Sequence, residues 1–161
     1  MHGLDPSAVS LLIIDDNQSS LEMMEAALEQ PGLEVLTAAT PEEGLELFCQ
    51  RRPQIVLTDL VMPNISGLEV LERIIEIDPA TEVVLMTAQY STESAVQAIK
   101  KGASDYLNKP VSIGPLRERI GKLVEEARKR QRSFELEDEL RGLLDADSPL
   151  LARAFRSSGT V

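Results

Sequence analysis

The stretch IVLTDLVMPNISG, Ile55 to Gly67, poses the question on which the reading of this chain turns. Ile55, Val56, Leu57 and Thr58 have the side chains of a buried strand, yet the run ends on the bare carboxylate of Asp59, with Pro63 following four positions later. Asp is a good turn former, and a strand can end there for that reason alone. A carboxylate aimed out of the end of a rigid sheet is equally a way to present a reactive group. The stretch by itself leaves both readings open, and the pattern around it decides.

Four further apolar runs flank it: AVSLLII (8–14), LEVLTA (33–38), EVVLMTA (82–88) and SDYLN (104–108), with QIVLT (54–58) as the third of five. Except for the second, they are largely continuous rather than alternating, as strands covered on both faces should be. The segments between them have helical spacing. Leu21, Met24 and Leu28 share one face, as do Leu45 with Phe48, and Leu68, Leu71 and Ile75. Thr40-Pro41-Glu42-Glu43 combines an N-cap threonine, a proline at the first helical position and a glutamate at the third. The segment 91–101 closes on KKG, two cations and a glycine at a helix C-terminus, and Ser112 is placed to cap the last helix. Strict βα alternation five times over predicts an α/β fold, a three-layer sandwich around a parallel sheet with right-handed crossovers. For five strands the common form is the flavodoxin-like (βα)5 order 2-1-3-4-5, with ligands bound beyond the carboxyl ends of the first and third strands.

Bulk properties narrow the chemistry. With 161 residues and 43% hydrophobic residues the chain can bury a real core, and with no Trp and 3% aromatics that core must be aliphatic. The net charge of −11 argues against binding nucleic acid through the whole surface. His2 is the only histidine and Cys49 the only cysteine, which removes histidine-based triads, His-ligated zinc and internal disulfides. Neither GxGxxG nor GxxxxGK[ST] occurs. No apolar run approaches a membrane span and MHGLDPSAVS is no signal peptide, so a cytoplasmic setting without membrane contact is expected.

In the order 2-1-3-4-5 the first and third strands are neighbours, so Asp15 and Asp16, which end IIDD, converge with Asp59. Carboxylates that close raise one another's pKa unless a cation intervenes. An all-oxygen set with room for water suits Mg²⁺. The fourth strand ends on Thr87, a hydroxyl, and the fifth leads to Lys109, an ammonium beside Pro110. A metal, a hydroxyl and a lysine are what a phosphoryl group needs around its equatorial oxygens during in-line transfer.

The strings LLIIDD, TDLVMPNISG, VVLMTA and GASDYLNKP, in this order and at these spacings, resemble the receiver domain of two-component response regulators over roughly residues 8 to 125. The resemblance implies that Asp59 is the phosphoacceptor, taking its phosphoryl group from a sensor histidine kinase. It implies Mg²⁺ bound by Asp16 directly, Asp15 mainly through water, Asp59, and the backbone carbonyl of Val61. Lys109 would pair with the phosphoryl oxygens and Pro110 would follow a cis peptide bond. Thr87 and Tyr106 would form the switch, Thr87 moving to the phosphoryl group and Tyr106 turning inward behind it. Such a protein is no separate enzyme; it catalyses only its own phosphorylation and dephosphorylation. Two features depart from the family: Ser66 stands where an acid is frequent, and Val61 and Gln89 occupy the positions that tune attack by water. Val61 offers no polar group to orient a water, so slow autodephosphorylation is expected.

From Leu116 to Arg141 there is no proline and only Gly121, so the last receiver helix is expected to run on as a linker. The expected organisation is a tail (1–7), the receiver (8–125), a linker and dimerisation helix (126–141), and the start of a following region or flexible tail (142–161). GASDYLNKP, the long helix and DSPLLARAF together resemble NtrC-type regulators that activate sigma-54 promoters. That implies transcriptional output, with DNA contacted only through an output domain absent from these residues. Leu116, Ile120, Leu123 and Ala127 recur at 4-3-4 spacing and predict a homodimer seam, part of which must pack on the sheet as the last receiver helix. The stripe is interrupted at Arg130 and resumed by Phe134, Leu136, Leu140 and Leu143, and a helix folded back on its own receiver is the alternative.

Competing readings are weaker. A stand-alone receiver acting through protein contacts fits the same motifs. A degenerate receiver would lack an acid or the lysine, and all are present. An Mg²⁺-dependent phosphatase of the haloacid-dehalogenase kind needs a second Asp where Val61 stands. Cys49 is expected to be a helix thiol without a role, and Met23, Met24, Met62 and Met86 core or near-core residues. RKRQR (128–132) is expected to be a solvated face, with Glu125 and Glu126 pairing Lys129 and Arg130 at i,i+4.

Overall fold

A computed structural model describes residues 8–144. Five strands, β1 (Val9–Ile14), β2 (Leu33–Ala38), β3 (Ile55–Asp59), β4 (Glu82–Thr87) and β5 (Asp105–Asn108), alternate with α1 (Gln18–Leu28), α2 (Pro41–Arg51), α3 (Gly67–Ile77), α4 (Thr92–Lys100) and α5 (Ile113–Leu143). All neighbouring strands pair in parallel, in the order β2-β1-β3-β4-β5. The register sets Ile14 beside Thr58 and Asp59 beside Met86, so β1, β3 and β4 end at one level.

The continuous apolar runs follow from the layering. Residues of one parity, among them Leu11, Ile13, Leu57, Val84 and Met86, pack against α1 and α5. Those of the other, Leu12, Ile14, Val56, Val83 and Leu85, pack against α2, α3 and α4. With β1, β3 and β4 buried on both faces, alternation disappears from their sequences. Phe48 fills the second layer without exposure, as the largest wholly buried side chain.

Local sequence starts the helices. Thr40 Oγ1 accepts the Glu43 N–H at 3.1 Å, while the Glu43 carboxylate reaches back to the Ala39 N–H at 2.9 Å. Asn17, Ser66 and Ser91 cap α1, α3 and α4 in the same manner. Ser112 occupies the N-cap of α5, but its side chain makes no capping bond.

Several expectations need correction. Met24, Met62 and Met86 are buried, but Met23 is 41% exposed, because it stands one position off the stripe of Leu21, Met24 and Leu28. The i,i+4 pairs expected along RKRQR are not formed among the described residues. Instead Arg128 faces Glu125 and donates to the Pro31 carbonyl at 2.7 Å, and Arg130 leans toward Glu82. Higher up, Arg117 Nε donates to the Ala27 carbonyl at 2.6 Å, so two arginines tie α5 to the end of α1 and the turn after it.

The helix α5 passes residue 125 without a break and continues to Leu143. Leu116, Ile120 and Ala127, the part of the seam expected to pack on the sheet, are buried in the chain's own core together with Val124. Phe134, Leu136, Leu140, Leu143 and Leu144 beyond them are exposed. The tail 1–7 and the segments DADSP, LLARAF and RSSGTV, apart from residues up to 144, lie outside the described residues.

Candidate functional site

The site lies beyond the carboxyl ends of β1, β3 and β5. Asp15 follows β1 directly and has no exposed surface; its N–H donates to the Ala38 carbonyl, and its Oδ1 accepts the Asn17 N–H at 2.9 Å. Asp16, next along, turns to solvent. Asp59 closes β3 at 8% exposure, with its Oδ1 3.4 Å from the Val61 N–H. Carboxylate oxygens of Asp15, Asp16 and Asp59 lie within 4.8 Å of one another. Two of the three, Asp15 and Asp59, are buried, and buried carboxylates this close call for a cation. Lys109 supplies one, with Nζ 2.8 Å from Asp15 Oδ2 and 3.3 Å from Asp59 Oδ2.

The protonation balance follows from that packing. Burial pushes the Asp59 carboxyl above the ordinary carboxylate value; the Lys109 charge pulls it back and the Asp15 charge pushes it up again. Burial also pulls Lys109 down. The bonds and charges of Asp15 and Asp59 outweigh that and leave the ammonium above the ordinary lysine value. Lys109 is therefore a fixed positive charge between two acids at neutral pH.

The surrounding loops are held by backbone. The Leu60 N–H donates to the Met86 carbonyl, and Gly67 N–H donates to the Leu60 carbonyl at 2.8 Å, drawing the start of α3 against the end of β3. A Cβ on Gly67 would lie 2.2 Å from the Asp59 carbonyl oxygen. Only glycine fits there. Neither this constraint nor the Ser66 cap was taken from the sequence; the PNISG string carries both, a serine at an N-cap followed by a glycine where α3 begins. Ser66 is thus a helix cap, which gives this departure from the family pattern a structural role.

Thr87 is fully buried and its Oγ1 accepts the Gln89 N–H at 3.0 Å; the Lys109 N–H donates to the Thr87 carbonyl at 2.7 Å. The Lys109–Pro110 peptide is cis. Val61 is 61% exposed beside the acids. Tyr106, on β5, is set apart from this cluster. Its ring is buried and meets Tyr90 edge-on at 5.2 Å, and its hydroxyl has no hydrogen-bond partner among the described residues. Its ring already points inward, with a polar group left unsatisfied.

Comparison with known proteins agrees with this geometry. The model of the response regulator receiver domain family matches residues 11–121. The transcriptional regulatory protein TrcR of Mycobacterium tuberculosis is 30% identical over 124 residues, 77% of this chain and 48% of that protein. The DNA-binding transcriptional regulator NtrC of Proteus hauseri is 28% identical over 151 residues, 92% of this chain and 32% of that protein. A CheY-like receiver domain protein from Methanospirillum hungatei superimposes with a TM-score of 0.71 at 32% identity, over 76% of this chain and 98% of that one. The chain belongs to the response regulator receiver family. It spans less than half the length of these two curated relatives. Among the described residues no helix is long and apolar enough to cross a membrane.

Proposed function

We propose that the chain is a phosphorylation-activated switch in which Asp59 accepts a phosphoryl group from a sensor histidine kinase. The observation that carries this reading is Lys109 Nζ seated between Asp15 and Asp59, two of three acids (with Asp16) whose oxygens lie within 4.8 Å of one another. A carboxylate oxygen of Asp59 forms the new P–O bond as the donor's bond to phosphorus breaks. Lys109 moves from carboxylate to phosphoryl oxygen as charge develops there, and the Thr87 hydroxyl, whose oxygen accepts the Gln89 N–H, turns its own hydrogen to a phosphoryl oxygen. The oxygen donors fit Mg²⁺, and Asp15, Asp16, Asp59 and the Val61 carbonyl would hold it. The ion would offset charge shared by the acids and the incoming phosphoryl group.

Tyr106 then follows Thr87. The unsatisfied hydroxyl of a buried tyrosine is costly, so the inward ring is poised between two placements. The relay ends in an output region, and the NtrC alignment, running well past the receiver, supports a transcriptional regulator of the sigma-54 type. The exposed leucines of α5 support a homodimer. Val61 beside Asp59 supports a slowly hydrolysed phosphoaspartate. A cytoplasmic location fits this role.

Intact mass after incubation with acetyl phosphate and Mg²⁺ tests the reading. The expected product carries one added phosphoryl group, absent from Asp59→Ala. No gain in mass, or equal labelling of that variant at the same site, would overturn it in favour of a receiver that only binds partners.

A further inference from the structure

A second cavity lies at the opposite end of the sheet from Asp59. It has a volume of about 400 Å³ and lies between the loops that lead into β3 and β4 and the part of α5 that leaves the sheet. That is within the usual size of a small-molecule site. Three features that local rules disfavour meet on its walls. Arg52, the residue after α2, adopts φ +45°, a left-handed conformation that normally falls to glycine or asparagine. Thr81 is buried and its hydroxyl has no hydrogen-bond partner among the described residues. Phe134 is 64% exposed. Strained backbone and unsatisfied buried polar groups cluster at functional sites.

The position of Phe134 is informative. At about 100° per residue, it continues the stripe of Leu116, Ile120, Val124 and Ala127 that packs on the receiver. It therefore faces the receiver one turn or more beyond the last place where the core can cover it, with the cavity beneath. The charged groups complement it. Arg52 makes no ion pair among the described residues, its guanidinium lying 5.8 Å from the Phe48 ring, and Arg130 is a loose 3.9 Å from Glu82. The one acid on the wall, Asp78, already accepts the Ala80 N–H at 3.0 Å.

We propose that this cavity binds a small planar carboxylate, such as an aromatic acid. Arg52 and Arg130 hold the carboxylate and Phe134 covers the flat apolar body. Guanidinium groups suit both roles, since they pair with carboxylates in plane and stack on flat rings. A bound acid would tie the Phe134 turn of α5 to the rear edge of the sheet. It would thereby fix the direction in which the helix leaves the receiver, as an input separate from phosphorylation at Asp59.

Titration of the full chain with 2-naphthoate, followed by saturation-transfer NMR and by amide shifts of Thr81 and Gln131, tests this. Saturable binding is expected with a Kd on the order of 0.1–1 mM for so small a ligand. Arg130→Gln and Phe134→Ala should each weaken it at least fivefold, while Asp59→Asn leaves it unchanged. Arg130 and Phe134 are both exposed, so these variants should fold, and circular dichroism checks that they do. 2-Naphthol, which lacks the carboxylate, should bind at least fivefold more weakly than the acid. No saturable binding, equal binding of the alcohol, or unchanged binding in both variants would overturn the proposal.

Discussion

Lys109 Nζ sits closer to Asp15 than to Asp59, 2.8 Å against 3.3 Å, so its stronger bond is to the fully buried acid and its weaker one to the proposed acceptor. That asymmetry lets the ammonium turn to a phosphoryl oxygen without leaving Asp15, which is fully buried, unpaired. Lys109→Ala should therefore destabilise the metal-free protein by about 2–3 kcal/mol, because it leaves two crowded carboxylates without a counter-charge. Saturating Mg²⁺ should recover much of that loss. Urea unfolding with EDTA and with Mg²⁺ measures both; a variant as stable as wild type in EDTA would refute the charge balance.

Asp59→Ala should act in the opposite direction. The folded pKa of Asp59 is raised above its ordinary value of 3.8, so the native state binds the proton more readily than the unfolded chain does. The ionised side chain then costs stability above the folded value, and that cost fades as pH falls through it and is gone below the unfolded value. In EDTA at pH 7 the alanine variant should be the more stable, on the order of 1 kcal/mol, a typical single-residue effect. The difference should shrink toward pH 3.8 and below. A gain that stays constant with pH would show that shape, not charge, is responsible.

Asp16→Ala tests the metal. Wild type should gain thermal stability with rising Mg²⁺, as any ligand that binds only the native state confers. Asp16 is exposed and makes no ion pair among the described residues, so its removal should leave the metal-free melting temperature almost unchanged and abolish the Mg²⁺-dependent rise. Labelling by acetyl phosphate should fall with it. A full Mg²⁺ response in the variant would exclude Asp16 as a ligand.

Gly67→Ala should fail for a steric reason. The added methyl would meet the Asp59 carbonyl oxygen at 2.2 Å and the Leu60 Cα at 2.8 Å, both backbone atoms that cannot step aside alone. A loss of about 1–3 kcal/mol is expected, with slower phosphoryl labelling because the start of α3 must move away from the end of β3 and the proposed acceptor Asp59. Denaturant unfolding and labelling rates check the two effects. Wild-type behaviour in both would mean that the approach is looser than 2.2 Å implies.

The sheet order and the acidic cluster were legible because each rests on a local signal repeated along the chain. Continuous apolar runs fixed the strands, and an acid or hydroxyl at the ends of β1, β3 and β4 fixed the face. What escaped reading depends on tertiary approach. Nothing in PNISG says that the Gly67 Cα lies against the Asp59 carbonyl, or that the Ser66 hydroxyl is spent on the Glu69 N–H. The pairing along RKRQR was misassigned for the same reason. An i,i+4 rule treats a helix as isolated, whereas the Pro31 carbonyl and Glu82 offer Arg128 and Arg130 partners from other elements.

The seam along α5 divides into two faces, and this changes where the proposed dimer would form. Leu116, Ile120, Val124 and Ala127 are spent on the chain's own core. At about 100° per residue, Leu136, Leu140 and Leu143 fall on roughly the opposite side of the helix, at 61%, 58% and 38% exposure. Three exposed leucines on one stripe of a helix that projects from its domain mark an interaction surface, and a second copy of the same stripe would give symmetric cover. Each buried leucine contributes about 1.5–3 kcal/mol. Leu136→Lys with Leu140→Lys should thus weaken self-association by roughly 100-fold or more, without loss of receiver stability, since neither side chain touches the core. Light scattering over a concentration series should show the dimer for the full chain and a monomer for the double variant. A chain stopped after Arg132 should also be monomeric; that cut keeps Ala127 in the core and Arg128 on the Pro31 carbonyl. A full chain that remains monomeric at every concentration, with and without a phosphoryl mimic, would rule the dimer out.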